Sequence, residues 1–502
     1  MVSLSASVAW WARTEPDRTA LVCGEVRLGY AQLHRRVEAA AGLMVSRGLR
    51  PGDVVALLMK NGAAFVELAL AASWAGAVLL PINYRLSPDE VDYIARHAGA
   101  RLMFVDESLG ASARGCPDVV VLDDAAQADS SRLAGGAPPC RVPHPARPED
   151  LYRLMYTSGT TDRPKGVIHT HANAMWKNLD HIAALGITRE ERLLIVGPLY
   201  HVGAFDLPGL AVLAMGGRVA ILREFDAEAA LALIERERLT GAWMAPVMLN
   251  RTLACEGRAR FDLSSLRWIV GGGERTPEER IREFGELFSS ARYVDAYGLT
   301  ETCSGDTLME AGSELRKIGS TGRALAHVAI EIRDDDGRVL PAGETGEICL
   351  RGPKVTRGYW KDPDRTAASF FGEWFRSGDV GRLDDEGFLY LTDRKKDMII
   401  SGGENIASSE VERVLYGLPQ VLEAAVVGLP DARWGERVVA VVVPRPGTTL
   451  TMAMLREHCE PLLAAFKRPR ELVLREALPR NPSGKVLKRL LRDELARAGT
   501  TG

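Results

Sequence analysis

The chain is short of the features that mark secreted, metal-clustered or membrane-spanning proteins. Its seven cysteines (Cys23, Cys116, Cys140, Cys255, Cys303, Cys349 and Cys459) are scattered, odd in number and never in C-x-x-C spacing. That pattern argues against a disulfide framework and a zinc site, and it fits a reducing cytoplasm. Long apolar runs are also missing: Leu68 to Leu80, the most apolar stretch, is about 13 residues and stops at Pro81, against the ~20 a transmembrane helix needs. It reads as a buried helix running into a strand. The opening Met1-Val2-Ser3-Leu4-Ser5 lacks a basic n-region, so no signal peptide is expected. A formal net charge of -3 gives no general pull toward nucleic acid or an anionic membrane. Any polyanion must be held locally, and the ligand should be small. There is no G-x-S-x-G elbow of a serine hydrolase, no internal repeat and no low-complexity tract.

What is present starts with size: 502 residues exceed what one hydrophobic core usually organises, so two or more domains are expected. Residues 28 to 133 alternate helical patterns with short apolar runs, as in amphipathic Tyr30 to Arg47 and the strand-like runs Asp53 to Met59 and Arg101 to Val105. This is βαβ rhythm. Gly135 to Pro148, rich in proline and glycine, reads as a loop. Alternation resumes with strands at Arg192 to Val196, Gly217 to Leu222 and Leu266 to Val270. From about residue 318 short strands with Gly and Pro turns, Val328 to Arg333 and Gly346 to Arg351, suggest a barrel-like antiparallel part. Beyond Asp393, strands Glu423 to Gly428 and Arg437 to Val443 alternate with helices Ser408 to Tyr416 and Met452 to Leu463, a small α+β pattern.

The run Tyr156-Thr-Ser-Gly-Thr-Thr-Asp-Arg-Pro-Lys165-Gly166 carries the clearest chemistry. Backbone N–H groups in a glycine-bearing turn, with Ser and Thr hydroxyls and a nearby ammonium, suit phosphate oxygens, so a nucleoside triphosphate is the leading ligand. It is not a Walker loop, because Gly166 stands where the hydroxyl after the lysine belongs. A plain surface loop is the alternative reading of this run taken alone. Asp295-Ala-Tyr-Gly-Leu-Thr-Glu301 places a flexible Gly298 between an aromatic ring and a hydroxyl–carboxylate pair. Such a turn suits stacking on a base and holding Mg²⁺ beside a triphosphate, although Thr300-Glu301 alone reads as a helix start. His169-Thr170-His171 reads as a cap or a solvent-facing pair rather than a metal site.

Further motifs follow in order: Trp374-Phe-Arg-Ser-Gly-Asp379, Leu391-Thr-Asp-Arg-Lys-Lys-Asp397, Ser401-Gly-Gly-Glu-Asn405 and Asn481-Pro-Ser-Gly-Lys485. Together, from residue 156 to residue 485, the set resembles the adenylate-forming superfamily of acyl-CoA synthetases, adenylation domains and luciferases, with fatty-acyl and aryl acid–CoA ligases as close neighbours. The resemblance implies an α/β fold: a large N-terminal domain of βα-type sheets with a small barrel-like β part, residues 1–395, and a small mobile α+β domain, residues 396–502. It implies an acid–thiol ligase that adenylates a fatty or aromatic carboxylate with ATP and Mg²⁺, releases pyrophosphate and passes the acyl group to CoA.

By the same resemblance, Thr157, Ser158, Gly159, Thr160, Thr161 and Lys165 hold the pyrophosphate portion. Tyr297, with Asp295, Ala296 and Gly298, sits at the adenine beside Gly271, Gly272, Gly273 and Glu274. Thr300 meets the α-phosphate or the acyl carboxylate, Glu301 with Thr160 ligates Mg²⁺, and Asp379 with Arg394 holds the ribose. Lys485 neutralises charge between the attacking carboxylate and the α-phosphate. Lys396 is the hinge, and the Gly402-Gly403 face serves the thiol step. His201, Phe205, Gly271, Gly298, Cys303 and Ser304 line the acid pocket, and His201 gates it or approaches the carboxylate.

Two departures from the family pattern stand out. Asp162 occupies a place in the phosphate loop where relatives carry glycine, and Asn405-Ile-Ala-Ser-Ser-Glu410 lacks the Tyr-Pro many relatives have. Two alternatives stay open. One is a different acceptor (carrier-protein pantetheine, an amine, or nitrite as in diazotisation); the other is a nucleotide-binding scaffold whose catalysis has decayed. Partners are a small carboxylic acid and CoA, with no nucleic acid; a homodimer is compatible with these features.

Overall fold

The apolar runs read as strands become the central strands of parallel sheets in a computed structural model that describes residues 3–157, 163–272, 276, 278–394, 397–401, 404–431, 433–480 and 486–499. The chain divides into two compact units, Met1–Ala329 with Leu350–Phe375 and Ile330–Cys349 with Arg376–Gly502.

The first unit is built on two large sheets. In one, of six strands, Val119–Leu122, Ala100–Asp106, Val54–Leu58, Val78–Pro81 and Leu151–Thr157 run parallel in that order, and Lys165–Thr170 closes the edge antiparallel to Leu151–Thr157. The helix Ala63–Ala75 leads into Val78–Pro81, so the apolar stretch is a core helix and strand. All but the last of that helix's residues are buried, which is why it shows almost no amphipathic stripe.

In the nine-stranded sheet, Arg292–Tyr297, Trp268–Gly271, Gly241–Met244, Arg192–Ile195, Arg218–Ile221 and Thr19–Cys23 run parallel as neighbours. Antiparallel Thr307–Leu308 and Val26–Gly29 flank this parallel core. Parallel strands buried on both faces read as continuous apolar runs, as Leu193, Leu194 and Ile195 do. One face packs Leu194, Ala242, Met244 and Ile269 against Leu231, Ile234, Leu249 and Phe284. The other face carries Ile195, Trp243 and Val270, in register with one another.

In the second unit the segment Asp379–Leu383 pairs antiparallel with Leu389–Arg394. Val421–Asp431 and Gly435–Pro444 form a long antiparallel pair, joined by Glu471–Leu474 in parallel and by the short strands Ile399–Ser401 and Glu404–Ile406. The helix expected over residues 452–463 is Met452–Cys459, shorter because Pro461 cannot continue it. Both long strands extend beyond the apolar runs that signalled them, because backbone pairing continues through Pro430-Asp431 and Gly435-Glu436.

Candidate active site

Ligands of open parallel sheets bind beyond the carboxyl ends of the strands. Four neighbouring strands of the nine-stranded sheet end at Tyr297, Gly271, Met244 and Ile195. Just past those ends the chain continues into Gly298 to Glu301, Gly272, Ala245 and, a few residues on, His201. Topology therefore gathers residues that are far apart in the chain.

The expected adenine-side residues are neighbours. Gly271 pairs with Asp295 in register, and a Cβ on Gly272 would stand 3.0 Å from the Ala296 carbonyl oxygen. Tyr297 is buried at this strand end. Gly298 cannot carry a side chain, because its Cβ would lie 2.3 Å from the backbone nitrogen of Gly305.

Thr157 and Lys165 face each other as the last and first residues of the two strands of a β-hairpin. Tyr156, Thr157, Lys165 and Gly166 of the expected phosphate motif lie on those two strands. Ser158, Gly159, Thr160, Thr161 and Asp162 lie outside the described residues. The Thr157 hydroxyl is buried and has no hydrogen-bond partner among the described residues. Lys165 Nζ donates to Glu301 Oε1 at 2.8 Å and to the Tyr359 hydroxyl at 2.7 Å, and it sits 4.3 Å from the Tyr359 ring centroid. Tyr359 in turn donates to Glu301 Oε1 at 2.9 Å. Burial, then the Glu301 charge, holds the Tyr359 phenol well above its ordinary range, so it acts as a donor.

The Thr300–Glu301 turn is held from several sides. Thr300–Thr302 is one turn of 3₁₀-helix rather than the start of a longer helix. The Glu301 carbonyl accepts from Thr356 N at 2.7 Å, and the Thr300 carbonyl accepts from His169 Nε2 at 2.6 Å. After it, Cys303, Ser304 and Gly305 all have left-handed backbone, with φ of 57°, 74° and 61°. Two of these are not glycine, so the conformation is strained. Lys354 holds it: its buried Nζ donates to the Ser304 carbonyl at 2.9 Å and the Gly305 carbonyl at 2.7 Å, and pairs with Asp306 at 2.7 Å.

In the segment expected to line the acid pocket, Phe205 is fully buried and His201 half-buried. His201 Nδ1 accepts from Gly203 N at 3.0 Å. Burial lowers its pKa to about 4, so the ring is neutral with its proton on Nε2. Burial also pushes the Cys303 thiol up to about 12, which keeps it protonated and a poor nucleophile.

The reading of His169 and His171 as capping or solvent-facing is corrected. Thr170 between them is the cap of the helix His171–Leu185, and both imidazoles are buried. Burial lowers His169 to about 3 and His171 to about 4. Among the described residues no group of three or more His, Cys, Asp or Glu is placed to hold a metal ion.

In the second unit Asp379 and Arg394 are directly paired in register, with Arg394 Nε 3.3 Å from Asp379 Oδ1. Gly273, Glu274, Lys396, Gly402, Gly403 and Lys485 lie outside the described residues. Sequence reading missed Tyr359, Lys354, Arg153 and His169 as parts of the site. A signal existed for two of them: a charge inside the apolar strand run Tyr152-Arg153-Leu154 and the aromatic pair Tyr359-Trp360 after a glycine.

Comparison with known proteins shows the family. Residues 8–360 match the AMP-binding enzyme family and residues 410–485 the AMP-binding enzyme C-terminal domain. The chain is 37% identical over 481 residues to a feruloyl-CoA synthase of an Amycolatopsis species, covering 95% of this chain and 96% of that one. It is 37% identical over 485 residues to the long-chain-fatty-acid–CoA ligase FadD13 of Mycobacterium tuberculosis, covering 94% and 93%. Among solved structures, ATP-bound MatB from Rhodopseudomonas palustris superposes with a TM-score of 0.92 at 30% identity over 99% of both chains. With two family domains in sequence and relatives matched over nearly their full length, the chain belongs to the AMP-binding enzymes of the adenylate-forming superfamily, alongside the acid–CoA ligases.

Proposed function

We propose that this protein is an ATP-dependent acid–CoA ligase that adenylates a fatty or aromatic carboxylate and then transfers the acyl group to CoA. The observation that carries this reading is the convergence of Lys165, Tyr359 and Glu301 beside Thr300, just beyond the carboxyl ends of the parallel strands. Transfer of a nucleotidyl group needs positioning and charge neutralisation more than covalent help, and these residues supply both.

In the proposed reaction the acid carboxylate attacks the α-phosphorus of ATP and pyrophosphate leaves. Lys165 balances charge on the departing pyrophosphate, and the Thr157 hydroxyl donates to it. Thr300 orients the α-phosphate against the carboxylate, and Lys485 neutralises both. Glu301 offers one hard carboxylate, which fits a Mg²⁺ that arrives with the triphosphate and takes its remaining ligands from phosphate and water. Bound there, the ion would offset phosphate charge. Asp379 and Arg394 hold the ribose, with the carboxylate accepting from its hydroxyls. Residues 396–502 act as a mobile domain with its hinge at Lys396, and the thiol of CoA displaces AMP in the second step. A cytoplasmic location fits these substrates.

The test is acid-dependent pyrophosphate release across aliphatic and aromatic carboxylates with ATP and Mg²⁺, with and without CoA. Release that one acid class elicits and CoA accelerates supports the ligase. Release indifferent to CoA points to another acceptor, and no release with any acid refutes the reading.

A further inference from the structure

We propose that His169 is a positioning residue for adenylation: acting through the Thr300 carbonyl, it fixes the Thr300–Glu301 turn and ties it to the segment 205–210 that follows His201. The inference rests on the ligase reading.

The path is a continuous line of hydrogen bonds through the interior of the first unit. His169 Nε2 donates to the Thr300 carbonyl at 2.6 Å. Its Nδ1 faces Arg153, with Nη2 at 3.0 Å and Nε at 3.3 Å. A guanidinium only donates, so Nδ1 is the acceptor and the ring is neutral with its proton on Nε2. Burial and the Arg153 charge both disfavour a second proton. Arg153 Nη1 donates to Asp206 Oδ2 at 2.8 Å. Lys177 Nζ donates to the Asp206 carbonyl at 2.7 Å and to Asn178 Oδ1 at 2.6 Å. Arg153, His169, Lys177 and Asp206 are each at most 2% exposed.

Plain packing does not call for this arrangement. Burying paired charges has a desolvation cost of several kcal/mol per ion, and apolar side chains of similar volume would often fill the space as well or better. What the chain of donors provides is direction. A donor aimed at one carbonyl fixes a backbone whose next residue holds the Glu301 carboxylate. The strand geometry adds to this, because Lys165 and His169 lie on one face of Lys165–Thr170, where alternate residues point the same way. From that face Lys165 takes the Glu301 side chain and His169 takes the Thr300 backbone, so the turn is held at two points by one rigid element. At its other end the line reaches Asp206, one residue after Phe205. The acid-side segment and the nucleotide-side turn thus share one buried support.

The test compares His169→Leu, His169→Asn and His169→Gln in steady-state pyrophosphate release, with ATP and acid varied separately and thermal melting recorded. Glutamine has an amide N–H long enough to reach the carbonyl and an oxygen for Arg153; asparagine can meet Arg153 but is too short to reach the Thr300 carbonyl. Misplacement of a reacting group by ~1 Å costs ~100-fold in rate, so Leu and Asn should lower kcat by ~30- to 100-fold with the KM for ATP within ~3-fold of wild type. Gln should recover most of that rate. Asn and Gln both leave Arg153 a polar partner, so they decide the matter if the Leu protein does not fold. Overturning results are a kcat within ~3-fold of wild type for Asn, a loss that Gln does not restore, or a KM for ATP that rises in step with the fall in kcat. A wild-type enzyme that releases no pyrophosphate refutes the ligase reading itself, an outcome visible before any variant is made.

Discussion

Acidification should destabilise the first unit through its buried neutral histidines, and His181 makes the effect measurable. Its ring is wholly buried on the helix His171–Leu185, beside the Gly305 backbone. Neither ring nitrogen has a well-formed hydrogen bond among the described residues. Burial, and then the charges of Lys177 and Lys354, hold its pKa well below the ordinary value. His169 and His171, at about 3 and about 4, behave alike. A histidine whose pKa is lowered on folding stays neutral in the native state while the unfolded chain takes up a proton. Stability is therefore fully present above the unfolded value of ~6.5 and falls as pH drops from there toward the folded value. At 1.36 kcal/mol per unit of pH, His169 and His171 each cost about 2 kcal/mol by about pH 5, and His181 acts in the same direction.

The assay is urea denaturation of wild type and His181→Leu, followed by tryptophan fluorescence near pH 7 and near pH 5. Replacing a buried imidazole that has no well-formed hydrogen bond by an apolar side chain should be close to neutral near pH 7. Near pH 5 the variant should keep stability that the wild type loses, with a ceiling of about 2 kcal/mol set by the distance below the unfolded value of ~6.5. The raised carboxyls Glu67 and Glu412 have the opposite sign but are common to both proteins. Identical pH sensitivity in the two proteins would refute the reasoning.

Other consequences arise from the same structure. Lys354→Met leaves Asp306 buried without its cation and releases the left-handed turn, so it should cost about 3 to 5 kcal/mol in denaturant unfolding. Adding Asp306→Leu should return part of that loss. Gly305→Ala would bring a Cβ within 2.4 Å of His181 Nε2 at a φ of +61°, and should lower the melting temperature more than Gly312→Ala, where φ is also positive but nothing lies within 4 Å. Asp162→Gly removes a carboxylate from a loop proposed to face pyrophosphate. Like charges ~4 Å apart cost about 1 kcal/mol in water and about 4 at an effective dielectric of 20. The KM for ATP should therefore fall; an unchanged or higher value counts against repulsion.

The parts of the site legible in the sequence were those carried by short contiguous motifs. Lys165, Thr300 and Glu301 were read from their local runs and lie together in the structure. Strand positions were readable for a related reason: a parallel strand buried on both faces is a continuous apolar run wherever it sits. What was hidden was the support, because it depends on which strands become neighbours. His169 looked polar and near a helix start, yet it lies at the end of an edge strand whose inner face is covered by the Thr300 turn. Tyr359 and Lys354 come about fifty residues or more after the turn they hold, and no local pattern links them. Arg153 was visible as an oddity in an apolar run, but its partner Asp206 lies 53 residues away.

The discontinuity of the first unit bears on how the protein is made. Thr356, Tyr359 and Lys354, which brace the glutamate turn and the left-handed residues after it, belong to Leu350–Phe375, a stretch that returns to the first unit after the chain has begun the second. During synthesis, which proceeds at ~5 to 20 residues per second, both large sheets are complete while this returning stretch is still inside the ribosome. For several seconds the nascent protein has its sheets but not the brace for the Thr300–Glu301 turn. A gene fragment ending at residue 329 would be arrested in that state, so any piece meant to contain the whole first unit must run at least to Phe375.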